Sequence, residues 1–373
     1  MTIQSFFPPV RTLMGPGPSD VSPRVLSALA RPTVGHLDPS FIAMMDELKL
    51  LLQYAFQTNN ENTMAVSAPG SAGMEACFVN LISPEDTVVV CVNGVFGMRM
   101  IENVKRIGAK LVVVEGVWGR AVQADDLSAA LQANPQASVV AFVHAETSTG
   151  ALSDAKTLCA IAKEHDCLTI VDAVTSLGGV ELRVDDWQID AVYSGSQKCL
   201  SCVPGLSPIS FSDKAASIIQ NRTTAVQSWF LDQSLVMGYW SGQGKRSYHH
   251  TAPVNSLYAL HESLVMLQNE GLENSWARHK MMHEKLAVGL AELGLDFIVP
   301  QGERLPQLNT VSIPEGADDG KVREFLLSQF NLEIGAGLGQ FAGKAWRIGL
   351  MGYAARHENV TLCLSALKQA LMR

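Results

Sequence analysis

The sequence carries little charge for its length: 17% of its 373 residues are charged, and 36 acidic against 28 basic residues leave a formal net charge of -8. It has no basic run, which removes the electrostatic footprint of a nucleic-acid binder. The seven cysteines, Cys77, Cys91, Cys159, Cys167, Cys199, Cys202 and Cys363, are an odd set without an even disulfide framework. A reducing cytoplasm is therefore the expected compartment. No uninterrupted apolar stretch approaches the roughly 20 residues that span a bilayer. Met1-Thr2-Ile3-Gln4-Ser5 lacks the basic region and apolar core of a secretion signal, and Leu371-Met372-Arg373 is not the peroxisomal tripeptide. Neither a membrane nor a nucleic acid is expected as a partner. Repeats, low-complexity tracts and flexible interdomain linkers are also lacking.

What is present is apolar residues, 47% of the chain, over a length that exceeds one hydrophobic core. Two domains follow as the expectation. Residues 1–14, with Pro8-Pro9, read as an extended arm. Residues 15–255 read as a large domain in which short apolar runs alternate with helical patterns. The runs are Met64–Ser67, Thr87–Val92, Lys110–Val114, Val139–Val143, Leu168–Val171, Ala191–Tyr193 and Ile209–Phe211. Spacing of about one helix between them predicts an α/β fold with a mainly parallel, seven-stranded sheet. Residues 256–373 read as a smaller α+β domain: a helical stretch over 256–293, strands near Asn309–Ile313 and Ala345–Leu350, and helices near Lys321–Phe330 and His357–Met372.

The chemistry concentrates at Tyr193-Ser194-Gly195-Ser196-Gln197-Lys198, read with Val171-Asp172-Ala173-Val174 upstream. A hydroxyl-rich turn of this kind is ordinarily a solvated loop, and an aspartate after Ile-Val is often a helix cap. Together, at the carboxyl ends of strands in one sheet, they are what pyridoxal 5'-phosphate requires. Lys198 would hold the cofactor as a Schiff base, for which its amine must be neutral. Asp172 would keep the ring nitrogen protonated. Ala68-Pro69-Gly70-Ser71-Ala72-Gly73 precedes a helix, where glycine lets amides approach a phosphate and the helix start adds partial positive charge. The full G-x-G-x-x-G spacing of a dinucleotide fingerprint is missing there. Gly70, Ser71, Ala72 and Gln197 are the phosphate candidates. Arg347 lies in the apolar run Ala345-Trp346-Arg347-Ile348-Gly349, where an unpaired cation is costly, and a bidentate carboxylate would explain it. Cys199-Leu200-Ser201-Cys202 has redox spacing but opens no thioredoxin-like unit, and no second cysteine pair or histidine cluster completes a zinc site. No metal is expected.

Ser194–Lys198, His144-Ala145-Glu146-Thr147-Ser148-Thr149-Gly150, Tyr248-His249-His250-Thr251 and Arg347-Ile348-Gly349-Leu350-Met351-Gly352 together resemble the class V aminotransferases, most closely their alanine-glyoxylate and serine-pyruvate branch. The resemblance runs from Gly15-Pro16-Gly17-Pro18 almost to Arg373. It implies the type I fold of pyridoxal phosphate-dependent transferases and a homodimer with shared active sites. It also implies stacking of Phe96 on one face of the cofactor with Val174 on the other, and a hydroxyl contribution from Thr147, or from Ser148 if the register shifts by one. Tyr248 and Thr251 would reach the neighbouring subunit's phosphate, Arg347 would bind the substrate carboxylate, and Gly35 and His36 would flank the donor. Glu146 reads as structural. Pro69 departs from the family's Gly-Ser-Gly or Gly-Thr-Gly turn. The implied reaction moves an amino group from alanine or serine to glyoxylate or pyruvate by a ping-pong route. The nearer alternative is (S)-ureidoglycine-glyoxylate transamination, whose amide-bearing positions match His36 and Tyr248 here, neither of them an amide. A carbon-sulfur lyase is the more distant one, and it would need a mobile-loop cysteine where only Cys363, in a helical pattern, is available. A noncatalytic cofactor-binding protein would have little need for both Lys198 and Arg347.

Overall fold

The computed structural model describes residues 3–240 and 246–372, so the first two residues of the arm and the terminal Arg373 fall outside the described residues. In chain order its strands are Thr12–Met14 (β1), Asn62–Val66 (β2), Thr87–Val92 (β3), Lys110–Glu115 (β4), Val139–Val143 (β5), Ala145–Glu146 (β6), Ala151–Leu152 (β7), Leu168–Asp172 (β8), Ala191–Tyr193 (β9), Ser207–Phe211 (β10), Leu308–Ser312 (β11), Leu332–Ala336 (β12) and Ala345–Gly349 (β13).

β3 reads Thr-Val-Val-Val-Cys-Val and is buried at every position, as are β5 and β8. Runs of this kind, rich in β-branched and apolar residues, suit strands covered by helices on both faces. They form the middle of a seven-stranded sheet in the order β2-β10-β9-β8-β5-β3-β4. All neighbours are parallel except β10, which runs antiparallel to both β9 and β2. All seven expected runs are in this sheet. The helices between them begin where the side chains dictate. Ser22 accepts from the Arg24 amide ahead of Pro23–Leu29, and Asp38 accepts from the Ser40 amide ahead of Pro39–Phe56, with proline at the first helical position in both.

The second sheet has the order β1-β12-β13-β11. Two of its strands differ from expectation. β12 was not foreseen, and the end of the presumed arm is itself a strand: Thr12, Leu13 and Met14 pair in parallel with Leu332, Glu333 and Ile334. Met14 is fully buried in the second core with Leu286, Trp346 and Ile348, so the extended, exposed part of the arm stops before Thr12.

The helical stretch expected after residue 255 is resolved into parts. The helical stretch is two helices, Val254–Glu270 and Leu272–Glu292, broken at Gly271, whose φ of 85° favours glycine. Leu257, Leu260 and Leu264 of the first helix belong to the larger core, whereas Met282, Leu286 and Leu290 of the second belong to the smaller one. The chain passes from the larger core to the smaller one along the second helix.

His279 on that helix fixes the junction. Its Nδ1 lies 2.6 Å from the Ser275 carbonyl, and its Nε2 accepts from the Gly352 amide at 2.9 Å. Only the neutral ring satisfies both, and burial pulls its pKa down to about 4. A histidine depressed in the folded state stabilises fully above its unfolded value near 6.5 and loses that contribution as pH falls toward 4. His279→Gln, which cannot titrate, is expected to flatten the loss of stability between pH 7 and 4 by about 3 kcal/mol. Denaturant midpoints across that range measure it, and parallel pH profiles for the two proteins would refute it.

Candidate active site

The parallel strands present their carboxyl ends to one edge, and the candidate residues gather there. Asp172 ends β8, paired in register with Val143 of β5 and Tyr193 of β9. Its carboxylate is 2% exposed and held on both sides: Oδ1 accepts from the Val174 amide at 2.8 Å and Oδ2 from the Tyr193 hydroxyl at 2.8 Å. Burial raises its pKa to about 7 despite those two bonds. Sequence reasoning did not assign Tyr193 a role. Its place at the end of the next parallel strand, opposite Asp172, is the signal that could have done so.

Five residues beyond Tyr193, Lys198 closes a turn whose hydroxyls are already committed. Ser194 Oγ donates to the Ala173 carbonyl and Ser196 Oγ to the Val203 carbonyl, so neither has a proton to offer a phosphate. Gln197 differs, because its Oε1 is buried without a partner. Lys198 is 8% exposed, and its Nζ donates to the Pro16 carbonyl. Burial is the main reason its pKa falls to about 8; Asp172 opposes the shift, and Arg347 and Arg99 reinforce it. At pH 7.5 roughly a quarter of such an amine is neutral, against about a thousandth for an ordinary lysine. Pro16 was likewise not foreseen. Gly17 beside it has φ 104°, and a Cβ there would lie 2.8 Å from Lys198 Cδ, so glycine leaves the lysine its room.

Helix Gly70–Leu81 points its start at the same edge. A Cβ on Gly70 would lie 3.2 Å from Val174 Cγ2 and 3.4 Å from the Ser194 carbonyl, which brings the Gly70 loop, Val174 and the Lys198 turn together. The Ala72 amide donates back to the Pro69 carbonyl at 2.7 Å. The amides of Gly70 and Ser71 stand at the helix start, where no intrahelical acceptor exists.

Arg347 comes from β13 of the smaller domain and is 9% exposed. Its Nε donates to the Ala336 carbonyl at 2.8 Å, and its Nη1 to the Thr147 carbonyl of the larger domain at 3.2 Å. No acidic side chain among the described residues pairs with it within 4 Å, so the internal ion pair that would explain a buried arginine is not made. Thr147 and Thr175 share a short hydroxyl-hydroxyl hydrogen bond. Ser148 bonds elsewhere, at the start of helix Val95–Ile107, which carries Phe96.

A second group stands apart. The rings of His36 and Tyr248 are 5.2 Å apart, the Tyr239 hydroxyl donates to the His36 carbonyl, and Tyr248 Oη and Thr251 Oγ1 lie 3.3 Å apart. Tyr248 is 63% exposed, and Gly35 is exposed as well. No hydrogen bond among the described residues joins Gly35, His36, Tyr248 or Thr251 to Lys198, Asp172 or Arg347. The nearest link is His250, whose Nε2 lies 2.7 Å from Ser67 Oγ, just before the Gly70 loop.

The cysteines are inert. Cys199 donates to the Thr175 carbonyl, and burial pushes both it and Cys202 up to about 12. Cys363 is buried within helix His357–Leu371 and raised to the same range, which leaves a lyase without a loop thiolate in the last third of the chain. No group of three potential metal ligands occurs among the described residues, and no described helix is long and apolar enough to cross a membrane.

With this geometry established, known proteins give it a context. The profile of the class-V aminotransferases matches residues 22–358. The alanine-glyoxylate aminotransferase of Drosophila melanogaster is 40% identical over 366 residues, 97% of this chain and 93% of that one. The (S)-ureidoglycine-glyoxylate transaminase of Bacillus subtilis is 37% identical over 383 residues, 98% of this chain and 91% of that one. Among solved structures, the alanine-glyoxylate aminotransferase of Nostoc sp. is 44% identical and superposes with a TM-score of 0.96, covering 100% of this chain and 98% of its own. Its length, its sheet and its sequence agree in placing the chain in the class-V aminotransferase family.

Proposed function

We propose that this protein uses pyridoxal 5'-phosphate to transfer an amino group from alanine or serine to glyoxylate or pyruvate. The observation that carries the reading is the pairing of a desolvated amine with a fixed carboxylate at one sheet edge. Lys198 is drawn toward its neutral form, and Asp172 is clamped by Val174 and Tyr193. The residues fit the cofactor at its other end too. Gly70 offers a cradle that a side chain would fill, and Gln197 brings a buried, unpartnered amide oxygen whose adjoining NH2 can donate to phosphate.

When bound, pyridoxal phosphate supplies an electron sink for the substrate Cα. The chain does the rest. The Lys198 amine would anchor the cofactor and, when free, would serve as base and then acid for the proton on the substrate Cα. Asp172 would favour a positive charge on the ring nitrogen. Val174 and Phe96 would supply apolar contacts to the ring. Thr147 offers a hydroxyl on the same side of the site, and Arg347 fixes the substrate carboxylate so that one Cα bond faces the lysine.

Tyr248 and Thr251 are assigned to the cofactor phosphate of a neighbouring subunit in a homodimer, and Gly35 and His36 to the substrate-binding side of the site. The support is the exposure of Tyr248 and Trp229, and of Ile3, Phe6, Phe7 and Val10 along the arm. Seven thiols, all free and buried, fit a reducing compartment such as the cytoplasm. A panel of donors tested with glyoxylate and pyruvate decides the substrate. Alanine or serine is expected to convert bound cofactor to its amine form. Activity confined to (S)-ureidoglycine would transfer the protein to that neighbouring reaction, and sulfide release would overturn transamination altogether.

Arg347→Ala is expected to raise the KM for carboxylate donors about 10- to 100-fold, the value of a lost charge-assisted bidentate contact. Decarboxylated amines should be unaffected, so equal losses for alanine and ethylamine would remove the assigned contact.

A further inference from the structure

Helix Val95–Ile107 begins without a cap of its own. Its N-cap residue is Gly94, which has no side chain to accept from the first turn. The first three amides are nonetheless all bonded. Val95 donates to Ser148 Oγ at 2.9 Å, and Phe96 and Gly97 donate to Glu146 Oε2 at 3.2 and 3.4 Å. Ser148 also donates twice to Glu146 Oε1, from its hydroxyl at 2.6 Å and its amide at 3.0 Å. Glycine at 94 is a spatial requirement, because a Cβ there would run into the Glu146 side chain and lie 2.5 Å from Ser148 Oγ. The cap thus comes from a loop some fifty residues further along the chain.

This is a costly way to cap a helix. Glu146 is completely buried and has no Lys or Arg within salt-bridge distance among the described residues. A serine or aspartate at the N-cap ordinarily satisfies one such amide with little desolvation. What the arrangement adds is a rigid link between two working parts. Phe96 lies in the capped turn, and the residue between Glu146 and Ser148 is Thr147, whose carbonyl receives Arg347.

We propose that Glu146, braced by Ser148, is a positioning residue that sets the Phe96 ring against the cofactor and ties it to the loop beneath Arg347. The inference rests on the pyridoxal phosphate reading above. Glu146→Gln keeps the size of the side chain but replaces one of its two acceptor oxygens by an NH2, so it cannot accept both from the Phe96 and Gly97 amides and from the Ser148 amide. In the purified holoenzyme the cofactor Kd is expected to rise about tenfold, the loss of a helix cap expressed as an equilibrium, with weaker visible circular dichroism of the bound cofactor. In a Phe96→Ala background the same change should move the Kd less than about twofold, because the group it acts through is gone.

Independent, multiplying effects of the two substitutions would overturn the proposal, and so would a variant that loses melting temperature while keeping wild-type Kd and dichroism. If Glu146→Gln does not fold, Ser148→Ala removes the Val95 acceptor and half of the bracing. It should show the same pattern at about threefold, and an unchanged Kd there would equally refute the role. Amide exchange in the cofactor-free protein separates the two levels. Faster exchange at Val95–Gly97 without any effect on cofactor leaves a cap and no positioning, whereas wild-type protein that takes up no pyridoxal phosphate overturns the functional reading and this inference with it.

Discussion

Replacing Lys198 with alanine is expected to lower turnover by about 10⁴-fold or more, because in the proposed reaction one side chain serves as covalent anchor and as proton carrier. The fold should survive. Lys198 makes one side-chain hydrogen bond, to the Pro16 carbonyl, and the turn around it is closed by bonds that do not involve its amine: Ser196 N to Leu206 O, Cys202 N to Ser196 O, and Ser19 Oγ to the Lys198 carbonyl. The variant should therefore melt close to wild type and bind pyridoxal phosphate reversibly, without the near-visible band of covalently held cofactor. Single-turnover measurements with an added small primary amine sharpen the test, since an exogenous base restores proton transfer but not anchoring. Steady-state turnover within tenfold of wild type would end the assignment of Lys198.

The parts of this molecule that were legible in the sequence are those in which local pattern and chemical demand coincide. β3, β5 and β8 announce themselves as short runs rich in β-branched and apolar residues because both faces are covered. Asp172 and Arg347 stand out because each is a charged group in an apolar run that only a ligand or a partner can justify, and Lys198 because it closes a small hydroxyl-rich turn following the next strand. β1 and β12 were not legible. Thr12–Met14 is three residues long, and its partner Leu332–Ile334 lies at the far end of the chain, so neither segment has enough local alternation to declare a strand. Gly271 was hidden for a related reason: the apolar period continues across it, and only its positive φ reveals that one helical pattern is two helices serving different cores.

Within the site, the missed groups are those whose contribution has no side-chain signature. The Pro16 acceptor is a backbone carbonyl, which any residue could supply. Glu146 could be recognised as structural, but what it holds could not be read, because Phe96 and Gly97 offer it only their amides across a gap of about fifty residues. Ser194 and Ser196 show the converse. Their hydroxyls look available for a phosphate in sequence, yet both are spent on closing the turn that presents Lys198.

Asp172→Asn separates binding from catalysis. An opposing carboxylate about 4 Å from a ring cation contributes roughly 4 kcal/mol at an effective dielectric near 20, and a neutral amide contributes almost none of it. A loss of that size corresponds to about 10³-fold in kcat, with the cofactor still held by its phosphate and by Lys198. The same substitution should stabilise the cofactor-free protein. The Asp172 carboxyl is raised by burial from 3.8 to about 7, so its contribution to stability is fully present below pH 3.8 and is lost as pH rises through 7. Asparagine carries no such penalty. The cofactor-free variant should therefore exceed wild type by up to about 4 kcal/mol at pH 8, with the gap closing as pH falls toward 4. Denaturant melts at both ends of that range measure the stability, and kcat at saturating cofactor measures the catalysis. Turnover within about threefold of wild type would show that Asp172 does not sustain the ring charge. Lower stability at pH 8 would show that the carboxylate is held by stronger partners than Val174 and Tyr193. Passing both would mean that this carboxylate lowers the stability of the empty protein at neutral pH and becomes favourable only when a cation is bound opposite it.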